Sequence, residues 1–299
     1  MKKTVLLVML VIATCSVYAQ SETYKTGSML WKISGKDLLK PSYLLGTLHF
    51  KSGEYLDSIP GANMALQSCE QVVGEIPMSD MSGLQSKMMQ VMMMTPDTTY
   101  KMLYSDEDYK LVSEKVASIA GSGLEQFGML KPAAIQLTVS AFAYMKYFPD
   151  INMTNTLDIR IQAEATKDEK PVLGLETAED QIHVLFGILN LQQQADALLC
   201  SMKNLDKLIA FVPEIINCYN QGDLKKLAEL SEDTEICPSI SNESDALNKD
   251  RNNAWMKKLP EIMKEKPAFI AVGALHLAGK DGLLNLLEKE GYKVEAVGL

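Results

Sequence analysis

LLGTLH at residues 44–49 and AVGALH at residues 271–276 are two copies of one pattern. In each copy, an apolar run that favours a β-strand meets a glycine, and a histidine stands three residues after that glycine. The chain has three histidines, and two of them, His49 and His276, occupy this frame. Open α/β sheets bind ligands at the carboxyl ends of their strands. The repeat therefore predicts that both histidines face one cleft.

The sequence around the two copies predicts the fold. A strand, a helix and a second strand are expected over residues 42–76 and again over residues 267–297, and residues 30–33 form a hairpin with the first strand. The middle of the chain has helical spacing, except for an apolar strand at 170–175. We therefore predict an α/β fold, with a central mixed β-sheet built from N- and C-terminal βαβ-like units and a largely helical middle insertion.

The spacing of apolar residues and one capping residue predict several individual helices. Residues 106–120 form an amphipathic helix with Ser105 as the predicted N-cap, and further helices are expected at 81–94 and 280–289. The methionine-rich segment 88–94 has two interpretations. It fills a core, or it forms an adaptable apolar wall for a ligand.

The start of the chain has the three parts of a secretory signal peptide at residues 1–19: two lysines, an apolar run and a small-residue ending. The remainder, residues 20–299, is predicted to be one domain. No later segment is apolar enough to span a membrane, so we expect no transmembrane segment in the mature chain. Export to the periplasm or secretion follows. A lipoprotein anchored to the outer membrane through Cys15 is the alternative.

Charge and cysteine content limit the partners and the redox chemistry. The formal charge is −9, which argues against nucleic acid as a partner. After removal of the signal peptide, four cysteines remain, which allow two disulfides in any of three pairings. These residues are Cys69, Cys200, Cys218 and Cys237. Cys69 lies in an apolar helical pattern and fits a buried free thiol equally well.

Two glutamates stand at predicted strand ends, where a carboxylate would meet the histidines. Glu75 follows an apolar run and precedes Pro77, and Glu176 ends the strand at 170–175. Two imidazoles and one carboxylate leave an open position on a divalent ion, which lowers the pKa of bound water and polarises a carbonyl. Either glutamate could be a ligand or the general base. Alternatively, each could cap the helix that follows.

Two further polar residues have opposite interpretations. Arg251 lies in a helical segment, where its planar guanidinium could orient a carboxylate or stabilise an oxyanion, although an arginine in such a place is usually in a surface ion pair. His183 lies on a helix without the glycine frame. We therefore interpret His183 as a structural residue.

A set of motifs resembles the TraB/GumN family, which includes the Tiki proteins. The motifs are YLLGTLH at 43–49, Gly74-Glu75, LGLE at 173–176 with Gln181, Arg251-Asn252 and VGALHL at 272–277. The resemblance covers roughly residues 28–297. It implies an α/β fold and, for the Tiki branch, metal-dependent proteolysis through the two histidines and a glutamate. By position these are His49, His276 and Glu75, with Arg251 as a further polar site residue.

These observations lead to one hypothesis and two rivals. The hypothesis is an exported metal-dependent hydrolase, a protease or peptidase acting on a peptide or protein, in which His49, Glu75 and His276 hold a divalent ion and Glu176 or Arg251 assists. The resemblance favours manganese or cobalt over zinc. The first rival is a non-catalytic protein that binds haem, a peptide signal or a hydrophobic ligand in the same cleft. The second is a scaffold without a ligand.

Overall fold

A computed structural model describes residues 27–81, 85–148, 154–231, 235–237 and 245–298. The predicted signal peptide and Cys15 lie outside these residues. Within the described ranges, no helix is both long enough and apolar enough to cross a membrane.

A six-stranded mixed sheet forms the centre of the described fold, in the order β4-β3-β5-β2-β1-β6. The strands are β1 (Leu30–Ser34), β2 (Ser42–Thr47), β3 (Gln71–Gly74), β4 (Val172–Gly174), β5 (Ala268–Gly273) and β6 (Lys293–Ala296). β2 and β5 pair in parallel, as do β5 and β3, and β3 and β4. β1 is antiparallel to both β2 and β6. The α/β prediction, the hairpin and the assembly of the sheet from both chain ends are confirmed.

The parallel pair β2 and β5 joins the two repeated sequence frames. Gly46 lies opposite Val272, and Thr47 lies opposite Gly273. Five of the six residues in each of these strands are buried, as is usual for parallel strands, which are covered on both faces. The two histidine motifs therefore leave the sheet side by side, at the same edge.

Helices cover the sheet and form the middle of the chain. In the described residues they are α1 (Ala62–Ser68), α2 (Met78–Met81), α3 (Gln85–Met92), α4 (Tyr100–Leu103), α5 (Asp106–Ala120), α6 (Leu124–Phe127), α7 (Pro132–Tyr147), α8 (Leu157–Lys167), α9 (Ala178–Phe186), α10 (Leu191–Lys203), α11 (Leu205–Asn220), α12 (Leu224–Ser231), α13 (Asp250–Trp255), α14 (Leu259–Glu265) and α15 (Leu283–Lys289). Two 3-10 turns, Gly53–Ser58 and Ala274–His276, and one π turn, Asp245–Lys249, connect them.

The predicted helix bounds hold where a cap fixes them and fail elsewhere. α5 begins as predicted, because the Ser105 hydroxyl accepts a hydrogen bond from the Asp108 amide. The helix predicted at 81–94 is wrong in its bounds, since helical residues begin at Met78 and end at Met92; residues 82–84 lie outside the described ranges. The C-terminal helix starts at Leu283 rather than at residue 280, because the N-cap residue Gly282 has an extended backbone with φ of −75° and ψ of 150°.

Two large apolar clusters stabilise the fold, one around the sheet and one among α5, α7 and α10. The methionine-rich segment serves the second cluster and a smaller neighbour. Met94 is buried in the second cluster, and Met88 and Met92 pack against the smaller cluster that contains Phe186, whereas Met89 is mostly exposed. The core-filling interpretation therefore holds for part of this segment.

One disulfide forms among the described cysteines. It joins Cys200 on α10 to Cys237. Cys69 and Cys218 are buried free thiols, so two disulfides do not form and the alternative interpretation of Cys69 is confirmed.

The glycine of the first motif has a packing role. A Cβ on Gly46 would lie 3.1 Å from the Ala274 Cα and 3.1 Å from the Leu277 Cδ2, on the turn that carries His276. Gly46 therefore allows β2 and this turn to approach closely, and it does not serve the left-handed turn that such a glycine can also permit.

We expect the Gly46→Ala substitution to lower the free energy of unfolding by about 1–3 kcal/mol, because the added methyl group overpacks a junction that includes backbone. Urea denaturation monitored by circular dichroism measures this change. An unchanged midpoint would mean that β2 and residues 274–277 separate without cost.

Candidate active site

Four polar side chains leave the sheet at one edge. His49 follows β2, Glu75 follows β3, Glu176 follows β4, and His276 ends the 3-10 turn after β5. These four strands run in the same direction, so their carboxyl ends meet, as expected for a ligand site in an α/β sheet. Arg251 reaches the same edge from α13.

Glu75 lies between the two histidines. Its Oε1 atom is 3.8 Å from the His49 Nε2 and 3.9 Å from the His276 Nε2. The Gly273 amide donates a hydrogen bond of 2.8 Å to the same oxygen. A Cβ on Gly273 would stand only 3.2 Å from the His49 Nε2, so a glycine here lets the backbone approach the site. The three predicted ligands are therefore neighbours.

Each histidine is oriented by a partner at its other ring nitrogen. The Asp158 carboxylate accepts from the His49 Nδ1 at 3.1 Å. The Asn252 Oδ1 accepts from the His276 Nδ1 at 2.8 Å, and its Nδ2 donates to two backbone carbonyls, which fixes the orientation of the amide. In the neutral form of each ring, the lone pair therefore lies on Nε2, the nitrogen that faces Glu75. Metal-binding histidines are commonly oriented in this way.

Arg251 connects the acidic groups. Its Nη2 donates to the Glu75 Oε2 and to the Glu176 Oε1, each at 2.6 Å, and its Nε donates to the Glu176 Oε2 at 2.9 Å. Its Nη1 is 3.0 Å from the His276 Nε2. Only 12% of the Arg251 side chain is exposed, so the surface ion pair is the wrong interpretation. The guanidinium balances two buried carboxylates.

Glu176 serves Arg251 rather than the following helix. Both of its oxygens accept from Arg251, and the Trp255 Nε1 donates to its Oε2 at 3.3 Å. Thr177 caps α9 by accepting from the Asp180 amide. The capping interpretation of Glu176 is therefore wrong.

The site holds a separated set of charges at neutral pH. Desolvation opposes protonation of His49, although 62% of its side chain is exposed, and the hydrogen bond and charge of Asp158 together with the charge of Glu75 raise its pKa to about 9. Burial opposes ionisation of Glu75, yet the positive charges of His49 and Arg251, the His276 ring and the Gly273 amide lower its pKa to about 2. Burial lowers the pKa of His276 to about 3, helped by Arg251 and His49 and opposed by Glu75. His49 is thus cationic, Glu75 anionic and His276 neutral.

Several site residues carried no sequence signal of their own. Asp158 stands in the first turn of α8, where an acidic residue is ordinary because it complements the helix dipole. Trp255 packs on His276 with ring centroids 4.3 Å apart, and Gln181 donates to the Glu75 Oε2 at 3.2 Å. Asn252 and Gln181 belonged to the family motifs, but no role was predicted for them. His183 is exposed on α9 and does not line the site.

A cavity of about 670 Å³ lies over these residues and is partly open to solvent. His49, Glu75, Arg251 and His276 contribute to its floor. Cavities of this volume commonly hold small ligands.

The donor set fits a divalent cation, although the described side chains include no group of three His, Cys, Asp or Glu residues arranged as a ready metal site. Two nitrogen ligands and one ionised carboxylate suit manganese, cobalt or zinc, and His49, which is cationic at neutral pH, would release its proton to the solvent when the ion binds. Two ligands at about 2.1 Å from one ion are at most about 4.2 Å apart, and both nitrogen-to-oxygen separations lie below that limit. Arg251 contacts the His276 Nε2, so that guanidinium would have to withdraw from the nitrogen for an ion to bind there.

Comparison with known proteins places these residues in a family. The family model described as the TraB/PrgY/gumN family matches residues 29–296. The chain is similar to metalloprotease TIKI1 of Homo sapiens, with 26% identity over 95% of this chain and 64% of that protein. It is also similar to metalloprotease TIKI2 of Danio rerio, with 25% identity over 90% of this chain and 60% of that protein. The chain thus spans about three fifths of the length of these relatives. No solved structure matches it significantly.

We expect the two site histidines to titrate far apart in the metal-free protein. His276 should remain neutral from pH 5 to pH 8, since its pKa is about 3, whereas His49 should stay protonated until the pH approaches its pKa of about 9. Side-chain ¹H–¹⁵N spectra recorded against pH in the presence of EDTA measure both. The His183→Ala variant identifies the third ring, and Asp158→Asn should lower the pKa of His49. A His276 that titrates between pH 6 and 7 would contradict the described environment.

We expect Arg251→Met to lower the free energy of unfolding by about 3–5 kcal/mol, because it leaves the buried carboxylates of Glu75 and Glu176 without a cation. Urea denaturation at pH 7 measures this loss. The triple variant Arg251→Met, Glu75→Gln, Glu176→Gln should recover much of it, since no buried charge is left unpaired. A single variant within about 0.5 kcal/mol of the wild type, the range of ordinary surface changes, would disprove the buried network.

Proposed function

We propose, because this chain belongs to the TraB/PrgY/gumN family, that it is an exported metal-dependent hydrolase, a protease or peptidase that acts on a peptide or protein substrate. Similar proteins from several vertebrates are named metalloproteases. The observation that carries the proposal is the position of the Glu75 Oε1, which lies within 3.9 Å of the Nε2 atoms of both His49 and His276.

His49, Glu75 and His276 would hold the ion, and manganese or cobalt is proposed before zinc. A bound divalent ion supplies two effects at such a site, since it activates water as a nucleophile and polarises a carbonyl group. Glu75 suits the role of ligand better than Glu176, because Glu75 lines the cavity and is ionised at neutral pH. Both oxygens of Glu176 are engaged by Arg251.

The surrounding residues have positioning roles in this proposal. Asp158 and Asn252 hold the imidazole rings so that each Nε2 faces the carboxylate. Arg251 lies against Glu75 and lines the cavity, and its N–H groups are engaged by Glu75, Glu176, His276 and the Leu247 carbonyl, so it would stabilise a developing negative charge on the substrate oxygen through its positive charge. Glu176 and Trp255 fix the guanidinium from behind, by ion pairing and by contact with its planar face at 4.8 Å.

Export is supported by the Cys200–Cys237 disulfide, because such bonds persist in oxidising compartments and are rare in the cytosol. The N-terminal segment that would direct export is a prediction from sequence, as is a lipid anchor through Cys15.

We expect the mature protein to bind one Mn²⁺ ion, and the variants His49→Ala, His276→Ala and Glu75→Gln to lose at least about tenfold in affinity, since even the outer partners of metal ligands are worth that much. Isothermal titration calorimetry with Mn²⁺ after removal of bound metal measures this. His183→Ala is the matched control and should bind like the wild type, because this histidine is exposed outside the cavity. Retention of stoichiometric metal by both site histidine variants would sink the proposal.

The same proteins distinguish catalysis from simple binding. With Mn²⁺ or Co²⁺ present, the wild type and His183→Ala should cleave a pool of internally quenched peptides, and Glu75→Gln should not. If no peptide is cleaved with any divalent metal, and added haem gives a Soret band that His49→Ala abolishes, the protein is a ligand-binding protein and the hydrolase proposal fails.

A further inference from the structure

We propose that the cavity beside the site selects peptide segments with large apolar side chains around the bond to be cleaved. This inference rests on the proposed function for its catalytic part. Its recognition part rests on the walls of the cavity alone and can be tested without catalysis.

Four apolar side chains at the cavity are unusually exposed. Met78 on α2 is 39% exposed, Leu137 on α7 is 44% exposed, and Leu185 on α9 and Leu275 next to His276 are each 38% exposed. They come from four separate elements and all line this cavity. Single exposed apolar residues are normal on a soluble protein, but a group that surrounds a concave site indicates a ligand that buries them.

Other apolar side chains line the same cavity. They come from α8, α9, α11, α12 and the π turn: Ile159, Val184, Ile215, Leu227 and Leu247. An apolar side chain of a ligand would therefore be buried against several elements at once. Burial of this kind contributes roughly 25 cal/mol for each Å² of apolar surface.

The charged residues of the cavity are already engaged in the site. Among the described lining residues these are Glu75, Asp158 and Arg251, besides the two histidines. Each has a partner: Arg251 binds Glu75, and Asp158 binds His49 and Thr47. No lysine lines the described part of the cavity. A charged ligand side chain on the walls would thus lose water without gaining an ion pair, which is costly.

The size and shape of the cavity favour a short peptide. A volume of about 670 Å³ accommodates a few residues but not a folded domain. The opening to solvent gives an extended chain a path in and out, and such a chain advances about 3.3 Å per residue. The apolar walls would then hold side chains on either side of the peptide group that meets the floor.

Fluorescence anisotropy of two labelled octapeptides tests the recognition step. The probes are fluorescein-Gly-Gly-Leu-Leu-Phe-Leu-Gly-Gly and the matched fluorescein-Gly-Gly-Ser-Asp-Lys-Ser-Gly-Gly, titrated with the mature protein in EDTA so that no metal-dependent cleavage occurs. We expect the apolar peptide to bind at least about tenfold more tightly, because the walls bury its side chains. Equal affinity for the two peptides would overturn the inference, whatever the variants do.

Substitutions in the walls locate the binding. Leu137→Gln and Leu185→Gln keep helix-forming residues on α7 and α9. Each should lower the affinity for the apolar peptide by about fivefold. Leu39→Gln is the matched control, since Leu39 is 99% exposed outside the cavity, and should bind like the wild type. Unaltered affinity in both wall variants, with unchanged melting temperatures, would overturn the assignment to this cavity. If the variants do not fold, the comparison of the two peptides on the wild type decides.

Two further experiments distinguish peptide recognition from lipid binding and from catalysis. A fluorescein-labelled dodecyl chain that bound as tightly as the apolar peptide would show a lipid-like specificity and overturn peptide recognition. In the second experiment, internally quenched versions of both octapeptides are incubated with the protein and Mn²⁺, and kcat/KM for cleavage is measured for each peptide. Binding of the apolar peptide without cleavage would refute the hydrolase and leave the recognition inference standing, whereas cleavage that favours the polar peptide would support the hydrolase and refute this inference.

Discussion

The parallel pairing of β2 with β5 is the constraint on which the rest of this structure depends. Its hydrogen bonds join the beginning and the end of the chain in a register that sets Thr47 beside Gly273. Two glycine-to-histidine motifs that are distant in sequence then turn away from the sheet together. Because β3 pairs with the other edge of β5, Glu75 arrives between the histidines. A shift of this register by one residue would move every side chain of a strand to the opposite face.

The site combines a charged floor with apolar walls, and each determines what the other can do. Glu75, Glu176 and Arg251 are almost removed from water, so their charges must be balanced within the protein. Both carboxylate oxygens of Glu176 accept hydrogen bonds from Arg251. The remaining lining of the cavity is mainly apolar. In such surroundings electrostatic interactions are stronger than in water, which suits the proposed stabilisation of a developing charge.

Prediction from sequence succeeded where local pattern and tertiary structure agree. β2 and β5 are largely apolar runs that each follow a proline and reach a glycine, and Ser105 marks the start of α5 by its hydroxyl. It failed for residues whose role is set by a distant partner. Asp158 looks like an ordinary acidic residue of a first helical turn, and only the fold puts its carboxylate on the Nδ1 of His49. The choice between surface and site for Arg251 depended in the same way on what surrounds α13.

The sequence by itself determined the class of fold, the pairing of two histidine frames and the donor types at the strand ends, because hydrophobic periodicity and glycine placement are local properties. Only the tertiary structure decided which atoms face one another: that the Nε2 atoms of His49 and His276 lie within 3.9 Å of one Glu75 oxygen, that Glu176 binds Arg251, and that apolar walls surround them. The reason is physical. Contacts between residues far apart in the chain are fixed by strand register and helix packing, which local sequence patterns do not encode.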